Sequence, residues 1–146
     1  MANVAITQDG RWLTLETTLG TDILIPTAVD GREAMSSLFE FRIATISQQE
    51  EIQPQDLLGK SVTIGMSQPG GSPRYVNGIV TSMAGGRVTR DGMRSFDLIL
   101  SPSLWLLNRK SDYKVFQTKT VKEIAEEVLG NYTLEFKTSL TASYQQ

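Results

Sequence analysis

Gly59-Lys60-Ser61 has the residue types of the last part of a phosphate-binding loop, in which glycine amides and a lysine hold phosphate groups. The complete motif has a further glycine at the position that Pro54 occupies here, and its serine opens a helix. Ser61 instead begins a run in which polar and apolar residues alternate, as in a strand. We therefore interpret Gly59 as part of a tight turn into a strand, and the sequence does not predict a nucleotide site.

Carboxylate pairs are the second arrangement that could do chemistry. Glu123 and Glu127 are four residues apart, which places both on one face of a helix, and Glu126 adjoins Glu127. Glycosidases use two carboxylates that face each other across a cleft. A solvent-exposed helix face explains these glutamates without catalysis, and a polar loop explains Glu50-Glu51 in the same way.

Basic residues form the third arrangement. Arg87, Arg90 and Arg94 flank a glycine-rich segment and could bind phosphate through charge-assisted hydrogen bonds. No aromatic residue lies among them, which weakens a single-stranded nucleic-acid interpretation, so an exposed hairpin tip is favoured. A second basic stretch, residues 109–114, is either an exposed connection or a contact strip for another subunit.

The 146-residue chain contains neither cysteine nor histidine. Disulfides, thiolate metal sites and thiol nucleophiles are therefore excluded, and so are histidine-based triads and histidine-ligated zinc. We expect no catalytic, cofactor-binding or metal-binding residues and no cofactor. With 40% hydrophobic residues the chain has the material for a sizeable core, which points to a scaffold or binding protein rather than an enzyme.

Charge is nearly balanced overall but unevenly placed. Fourteen basic and 16 acidic residues give a net charge of −2, which does not indicate a nucleic-acid partner. Residues 1–58 carry nine acidic and three basic residues, a net −6, whereas residues 59–122 carry three acidic and ten basic residues, a net +7. This segregation is either ordinary mixed surface brought together by folding or a pair of complementary patches in an oligomer.

Alternation of apolar and polar residues with a period of two is the main pattern, and it predicts strands. Strands are expected at 12–18, 22–29 and 38–46, the second of them an edge or bulged strand because it contains Pro26. The aromatic side chains are expected to alternate into core faces rather than to form an exposed platform. These and later strands are expected to fill one core with Phe39, Phe41, Val62, Ile64, Val80, Leu98 and Leu100.

Glycine-containing turns separate the predicted strands. Asp9-Gly10, Asp30-Gly31 and Asp91-Gly92 have the residue types of tight turns with positive φ. Residues 68–73 are expected to form one loop, and residues 83–91, which contain two adjacent glycines, a second long connection. Six or more short strands at this spacing predict a barrel or a sandwich.

One helix is predicted near the C-terminus, at residues 120–130. Thr120 and Glu123 fit a capping box, apolar residues follow at helical spacing, and Gly130 stands at the expected C′ position. A further strand is expected at 132–136. The helix would pack one apolar stripe on a core.

No targeting or membrane segment is visible. The first ten residues lack the basic and apolar regions of a signal peptide. The strongest apolar runs, at 23–25 and 104–107, are far shorter than the roughly 20 residues of a membrane helix. The second run continues the last predicted strand after an interruption at Ser101-Pro102. We expect a protein that is made in the cytoplasm and that leaves the cell, if it does, without a cleaved signal.

The apolar and glycine positions form an ordered series. It runs Gly31-x-Glu33-x-x-Ser36-x-Leu38-Phe39-x-Phe41, Leu57-Leu58-Gly59-Lys60, Arg74-Tyr75-x-Asn77-Gly78-x-Val80, Leu98-x-Leu100-x-Pro102-x-Leu104-Trp105-x-Leu107 and Val115-Phe116-Gln117-x-x-x-Val121-x-x-Ile124-x-x-x-x-Leu129. The series resembles the N-terminal hub region of VgrG, the spike family of type VI secretion systems, and is similar to the hub proteins of contractile phage tails. Order and spacing together carry the resemblance, from about residue 12 to residue 132. Phe96 stands where the family commonly has tyrosine, and Lys114-Val115 where Arg-Ile is usual.

The resemblance implies a mainly β protein, a Greek-key-like β-barrel of the phage tail hub type with one short amphipathic helix near the C-terminus. Residues 1–112 would form the first hub barrel. Residues 113–146 would form a linker, the helix at 120–130 and the start of the following segment. The family's hub region continues into a second barrel and a tube-like spike, so the chain is expected to be truncated.

The resemblance also implies a structural role in a contractile injection machine rather than an enzyme. Family members assemble as homotrimers whose ring joins the hexameric tube protein Hcp to the membrane-puncturing spike, with the baseplate and possible effectors as further partners. Such a protein would be cytoplasmic during assembly and then secreted or injected without a signal peptide. It would meet the target membrane only through the missing spike and would bind no nucleic acid. The alternatives are a contractile phage tail or baseplate hub and, less favoured, an OB-like binding module or a carboxylate hydrolase effector.

Overall fold

The alternating segments of the sequence form six strands. They are β1 (Leu13–Glu16), β2 (Ile25–Arg32), β3 (Glu40–Ser47), β4 (Ser61–Met66), β5 (Arg74–Val88) and β6 (Arg94–Ser101), with a short 3-10 helix at Pro54–Asp56. A computed structural model of the chain describes residues 6–89, 91–130, 132, 137 and 139. The chain divides into two compact units, Met1–Pro102 and Ser103–Gln146, and the first unit contains all six of these strands. The division after residue 112 that the sequence suggests remains a prediction.

The strands form one antiparallel sheet in the order β1-β4-β5-β6-β3-β2. β4, β5 and β6 are consecutive in the chain and pair in that order. β3, which precedes them in the chain, pairs with β6 on the far side, and this is a Greek-key arrangement. β1 and β2, at the two ends of this order, approach each other, so the sheet curls into a nearly closed barrel. The predicted mainly β, Greek-key-like barrel is therefore confirmed.

The barrel core is built from the residues that alternate inward. Six of the seven predicted core residues are buried, and Phe39, just before β3, is half-buried. The Phe39 ring meets the Phe41 ring edge-to-face with 5.7 Å between centroids. The fully or nearly fully buried apolar side chains include Leu13, Leu15, Leu24, Phe41, Ile43, Leu57, Val62, Ile64, Val80, Phe96, Leu98 and Leu100.

β2 confirms the prediction of a bulged edge strand, because its pairing with β3 shifts between Pro26 and Ala28. Asp30-Gly31, which the sequence suggested as a turn, instead lies inside β2, and the prediction is wrong there. Gly31 pairs with Phe41 of β3, and the Phe41 ring occupies the space that a side chain at Gly31 would need. This glycine therefore serves close packing of an aromatic ring rather than a turn.

The connection predicted at 83–91 is also wrong, because β5 continues as far as Val88. The pairing of β5 with β6 shifts between Gly85 and Val88, so the strand absorbs its extra residues as a bulge. Gly86 lies against Ser95 of β6, where a side chain at position 86 would collide with the serine hydroxyl. Gly86 thus allows close strand approach, whereas Asp9-Gly10 and Asp91-Gly92 do provide glycines with positive φ, at 68° and 76°.

The free edge of β1 is covered by a side chain instead of a strand. The Gln8 amide nitrogen Nε2 donates to the backbone oxygen of Leu15 at 3.1 Å, and the Leu15 N–H donates to Gln8 Oε1. The backbone N–H of Gln8 donates to Asp22 Oδ1 at 2.9 Å, and Gln8 itself is buried. The side chain of Gln8 therefore satisfies both backbone groups of Leu15 on the free edge of β1, as a neighbouring strand would.

The second unit contains a 3-10 helix, Ser103–Arg109, and one α-helix, α1 (Val121–Leu129). The apolar run at 104–107 is thus helical rather than part of a strand, since Pro102 lacks the N–H that would continue the β6 ladder. The predicted capping box is confirmed: Thr120 Oγ1 accepts from the Glu123 N–H, and the Glu123 carboxylate accepts from the Thr120 N–H. Gly130 has a right-handed φ of −61°, so the expected left-handed C′ position is wrong.

The apolar stripe of α1 is only partly covered within the described residues. Ile124, Ala125 and Leu129 are half-buried, whereas Val121 and Val128 are exposed. The strand predicted at 132–136 falls almost entirely outside the residues that the structure describes. Among those described, none belongs to a helix that is long and apolar enough to span a membrane.

Candidate interaction surfaces

Gly59-Lys60-Ser61 lies at the start of β4 and uses its backbone for strand pairing. The Gly59 N–H donates to the Val80 oxygen at 2.8 Å, and the Val80 N–H donates to the Lys60 oxygen at 3.1 Å. Gly59 has a φ of 73°, which suits a glycine in a tight turn. The amides that would hold a phosphate are therefore engaged elsewhere, and the interpretation of Gly59 as a turn residue is confirmed.

The glutamates of α1 are engaged in local structure rather than facing a cleft. Glu127 forms ion pairs with Lys114 and Lys119, and the hydrogen bond from Lys114, followed by that from Lys119, lowers the pKa of its carboxyl from 4.5 to about 2. The backbone and side-chain hydrogen bonds of Thr120 lower the pKa of Glu123. Both carboxylates are held in the charged form, which suits a structural ion pair and a helix cap. Within the described part of the chain, no group of three or more acidic residues is placed to hold a metal ion.

Arg87 and Arg94 do not form one phosphate-binding cluster, and Arg90 lies outside the described residues. Arg87 is exposed, but Arg94 is half-buried and shares the inward face of β6 with Phe96, over whose ring its guanidinium lies at 5.9 Å. Arg94 Nη1 donates to the Glu50 backbone oxygen at 3.2 Å. Arg94 therefore helps to cover one end of the barrel. The sequence had predicted an exposed position for it, at the tip of a hairpin.

The basic linker of the second unit presents two apolar side chains to solvent. Tyr113 and Val115 are 101% and 83% exposed. Lys114 and Phe116, which alternate with them, lie together, with the Lys114 ammonium 5.3 Å from the centre of the Phe116 ring. Arg109 stacks over the Trp105 ring at 4.4 Å. Residues 109–116, called the strip below, thus have one set of side chains held by charged contacts and another set, Tyr113 and Val115, exposed to solvent.

Two aromatic side chains of the barrel point outward, so the expectation that the aromatics alternate into core faces is wrong for them. Trp12, just before β1, and Tyr75 of β5 are 60% and 65% exposed. The outward placement of these two rings could have been predicted from the alternation of inward and outward residues in β1 and β5. Because Leu13 and Val76 point inward, their immediate neighbours Trp12 and Tyr75 must point outward.

The sequence profile of the Phage tail baseplate hub (GPD) family matches residues 32–146. The chain belongs to this family.

Curated relatives give the same result from sequence. The chain is 32% identical over 138 residues to the type VI secretion system spike protein VgrG1a of Pseudomonas aeruginosa, covering 93% of this chain and 21% of the relative. It is 31% identical over 140 residues to VgrG1c of the same organism, covering 95% of this chain and 19% of the relative. The chain thus spans about a fifth of the length of these relatives, and the resemblance to the VgrG family is confirmed.

A solved structure shares the fold. The E. coli c3393 protein, described as a type VI secretion component with structural similarity to the T4 bacteriophage tail proteins gp27 and gp5, aligns with a TM-score of 0.72. The alignment covers 84% of this chain and 33% of that one at 21% sequence identity. This likeness supports the barrel of the phage tail hub type as a fold.

Proposed function

We propose that the chain provides the first hub barrel of a type VI secretion spike and acts as a structural adaptor. The observation that carries the proposal is the family match over residues 32–146, together with similarity to VgrG proteins along nearly the whole chain. The role is mechanical: the barrel positions neighbouring subunits so that contraction moves tube and spike as one body. No residue acts as a catalyst, and no cofactor or metal takes part.

The proposed assembly is a homotrimer in the longer protein, in contact with the hexameric tube protein Hcp and the baseplate, and with effectors as possible cargo. The exposed side of the strip supports such contacts, because it presents Tyr113, and tyrosine is enriched at protein interfaces. The protein would assemble in the cytoplasm and leave with the spike, without a signal peptide. Contact with a target membrane would belong to the spike and not to this barrel.

A contractile phage tail hub is the second candidate, since the family profile suits it equally and the c3393 protein, which shares the fold, is described as similar to T4 tail proteins. The curated relatives favour the secretion spike. A carboxylate hydrolase is disfavoured because Glu123 caps α1 and Glu127 is paired with two lysines. The predicted absence of catalytic residues remains part of the proposal.

Binding to tube proteins tests the proposal. The chain is immobilised and exposed to a purified Hcp hexamer and to a contractile phage tube protein, with binding followed by biolayer interferometry. We expect micromolar binding to Hcp that falls at least fivefold when Tyr113→Ser and Val115→Ser are combined. Val88→Ser is the matched control, because Val88 is an exposed valine on the barrel unit.

Three results would argue against this function. Binding to the phage tube protein alone would assign the chain to a phage tail. If neither tube protein binds at 100-fold the expected dissociation constant, the adaptor role is contradicted. Equal losses from the strip variant and from Val88→Ser would show that the strip is not the contact.

A further inference from the structure

The outer face of β1, β4 and β5 combines exposed aromatic rings with a row of small polar side chains. Its inward neighbours, Leu15, Ile64 and Val76, are core residues, so the residues between them all point away from the core. This face, called the platform below, consists of Trp12, Thr14, Glu16, Ser61, Thr63, Gly65, Tyr75 and Asn77.

Tyr75 and Thr14 both lie close to position 65, where a glycine leaves room for them. Gly65 pairs with Tyr75 across β4 and β5, and a Cβ at position 65 would lie 2.3 Å from Thr14 Oγ1 and 3.0 Å from Tyr75 Cε1. The Cδ1–Cε1 edge of the ring therefore lies beside Gly65, while the side chain remains 65% exposed. The electron-rich face of an aromatic ring attracts polarised C–H groups, such as those on the faces of pyranose sugars.

Asn77 organises the polar row beside this ring. Its Nδ2 donates to Ser61 Oγ at 3.1 Å and to Thr63 Oγ1 at 2.9 Å. Because both hydroxyls accept these bonds, their own protons are free to be donated outward. Among the described residues none donates to Asn77 Oδ1, and Glu16 forms no ion pair. The row thus offers both donors and acceptors, as a polyhydroxyl ligand requires.

Charge disfavours a nucleic acid on this face. The arginines at its edge are engaged within the chain: Arg11 Nε donates to the Thr7 oxygen at 2.8 Å, and Arg74 pairs with Glu33. The charge within the platform is the carboxylate of Glu16, which repels phosphates. The face measures about 10 by 20 Å from the spacing of three strands and four residue rows, which suits a short oligosaccharide.

We propose that the platform binds a neutral oligosaccharide, with a sugar ring stacked on Tyr75, a second contact on Trp12 and hydroxyl groups bonded to Thr63, Asn77 and Glu16. This activity is independent of the hub function. It places a saccharide-recognition surface on the barrel unit, away from the strip in sequence.

Saturation-transfer NMR and calorimetry on the full 146-residue chain test the site. The probes are tetra-N-acetylchitotetraose and cellotetraose, with an eight-residue oligothymidine for comparison. We expect millimolar binding of at least one saccharide and none of the oligonucleotide. Tyr75→Ala should weaken saccharide binding at least tenfold. Tyr113→Ala, which removes an exposed tyrosine from the other unit, should leave it unchanged.

Gly65→Ala provides a second variant, because its methyl group would collide with Thr14 Oγ1 and press on the Tyr75 ring, displacing both side chains of the platform without removing them. We expect at least a threefold loss of saccharide affinity, with folding checked by the dispersion of the amide spectrum. Binding of neither saccharide at 10 mM, tighter binding of the oligonucleotide, or equal effects of the two tyrosine variants would overturn the proposal. A change in the mass of the protein in light scattering on Tyr75→Ala, without saccharide binding by the parent chain, would assign the face to protein contacts instead.

Discussion

Gly78 occupies a point in β5 where the neighbouring backbone leaves no space for a side chain. A Cβ there would lie 2.5 Å from the backbone oxygen of Ser101, which cannot move aside as a flexible side chain can. We expect Gly78→Ala to lower the free energy of unfolding by about 1–3 kcal/mol, as overpacked core substitutions do. Urea denaturation of both proteins measures this loss.

Gly85 in the same strand is the matched control. A Cβ there would come no closer than 3.6 Å to any neighbour, the Arg94 guanidinium. Gly85→Ala should leave stability unchanged or raise it by up to about 1 kcal/mol, since alanine restricts the unfolded chain. Equal losses at the two positions would show that the contact with Ser101 is not what matters.

Phe41 anchors the core between β2 and β6. It is 4% exposed, pairs with Leu100 and covers Gly31. We expect Phe41→Ala to cost about 3–5 kcal/mol in the free energy of unfolding, from lost transfer energy and the cavity left behind. Phe39→Ala, at a half-buried ring, should cost clearly less. A loss below 1 kcal/mol for Phe41→Ala in equilibrium denaturation would contradict the inward placement of this ring.

Glu127 makes the contact between the strip and α1 sensitive to acid. Its folded pKa of about 2 lies below the usual 4.5, so the ion pairs contribute fully above pH 4.5. Their contribution is lost as the pH falls through about 2, when the carboxylate is protonated. A carbon-detected NMR titration of the Glu127 carboxyl should show a midpoint at about pH 2.

Lys114→Met removes the hydrogen bond that is the larger cause of the lowered pKa of Glu127. The midpoint for Glu127 should then rise toward 4.5, while the hydrogen bond from Lys119 keeps part of the effect. A midpoint near 4.5 in the unmodified protein would mean that the two lysines do not hold this carboxylate in solution.

At the scale of elements, the α1 cap is the clearest case of a short sequence signal that determines structure. Thr120 and Glu123 exchange both bonds of a capping box. We expect Thr120→Ala to destabilise the helix by about 0.5–2 kcal/mol, speeding amide exchange in α1 by about 2- to 30-fold. Thr120→Ser keeps the hydroxyl and should behave as the parent chain. Unchanged exchange in Thr120→Ala would show that tertiary contacts, not the cap, hold α1.

Strand positions followed from the sequence wherever apolar residues alternate, as in β3, β4 and β6. Glycine was the main source of error, because it is typical of turns and also of close strand contacts. The glycines at 31 and 86 serve the second purpose, and the partners that require them, Phe41 and Ser95, are distant in sequence. Their role was therefore not predictable from local residue types.

The surface was less predictable than the core. The burial of a residue follows from the alternation of apolar and polar residues within its own strand. An interaction surface depends also on which strands become neighbours in the sheet. Gly65 and Tyr75 form one feature only because β4 pairs with β5 in a particular register. The basic stretch at 109–114 was recognised from its composition, but the alternation of engaged and exposed side chains along the strip required the position of α1.

At the scale of the whole molecule, association should be weak and governed by charge. Contacts between chains could use the opposite net charges of residues 1–58 and 59–122, but pairs of exposed charges contribute only roughly 0–1 kcal/mol each. We expect the isolated 146-residue chain to be monomeric or weakly associating at micromolar concentration. Any association should weaken with salt, which screens exposed charges within about 8 Å at physiological ionic strength.

Multi-angle light scattering at low and high salt checks this expectation. The control is the same measurement on Tyr113→Ser, which removes the most exposed large side chain of the strip. A trimer that persists in high salt would show that this barrel carries a trimer interface by itself.

The gap between β1 and β2, which we call the seam, gives the described barrel a direction in which it opens most easily. Elsewhere the strands are joined by ladders, so a force along them must break several backbone hydrogen bonds together. Between β1 and β2 the described strands share no ladder, and the bonds of one glutamine side chain hold the edge of β1 at Leu15. A force that separates β1 from β2 meets no ladder of backbone hydrogen bonds between these described strands and opens the barrel at low tension. A force along β3, β6 and β5 is resisted, because their ladders must break together. A hub that transmits a sudden thrust would therefore keep its seam out of the line of force.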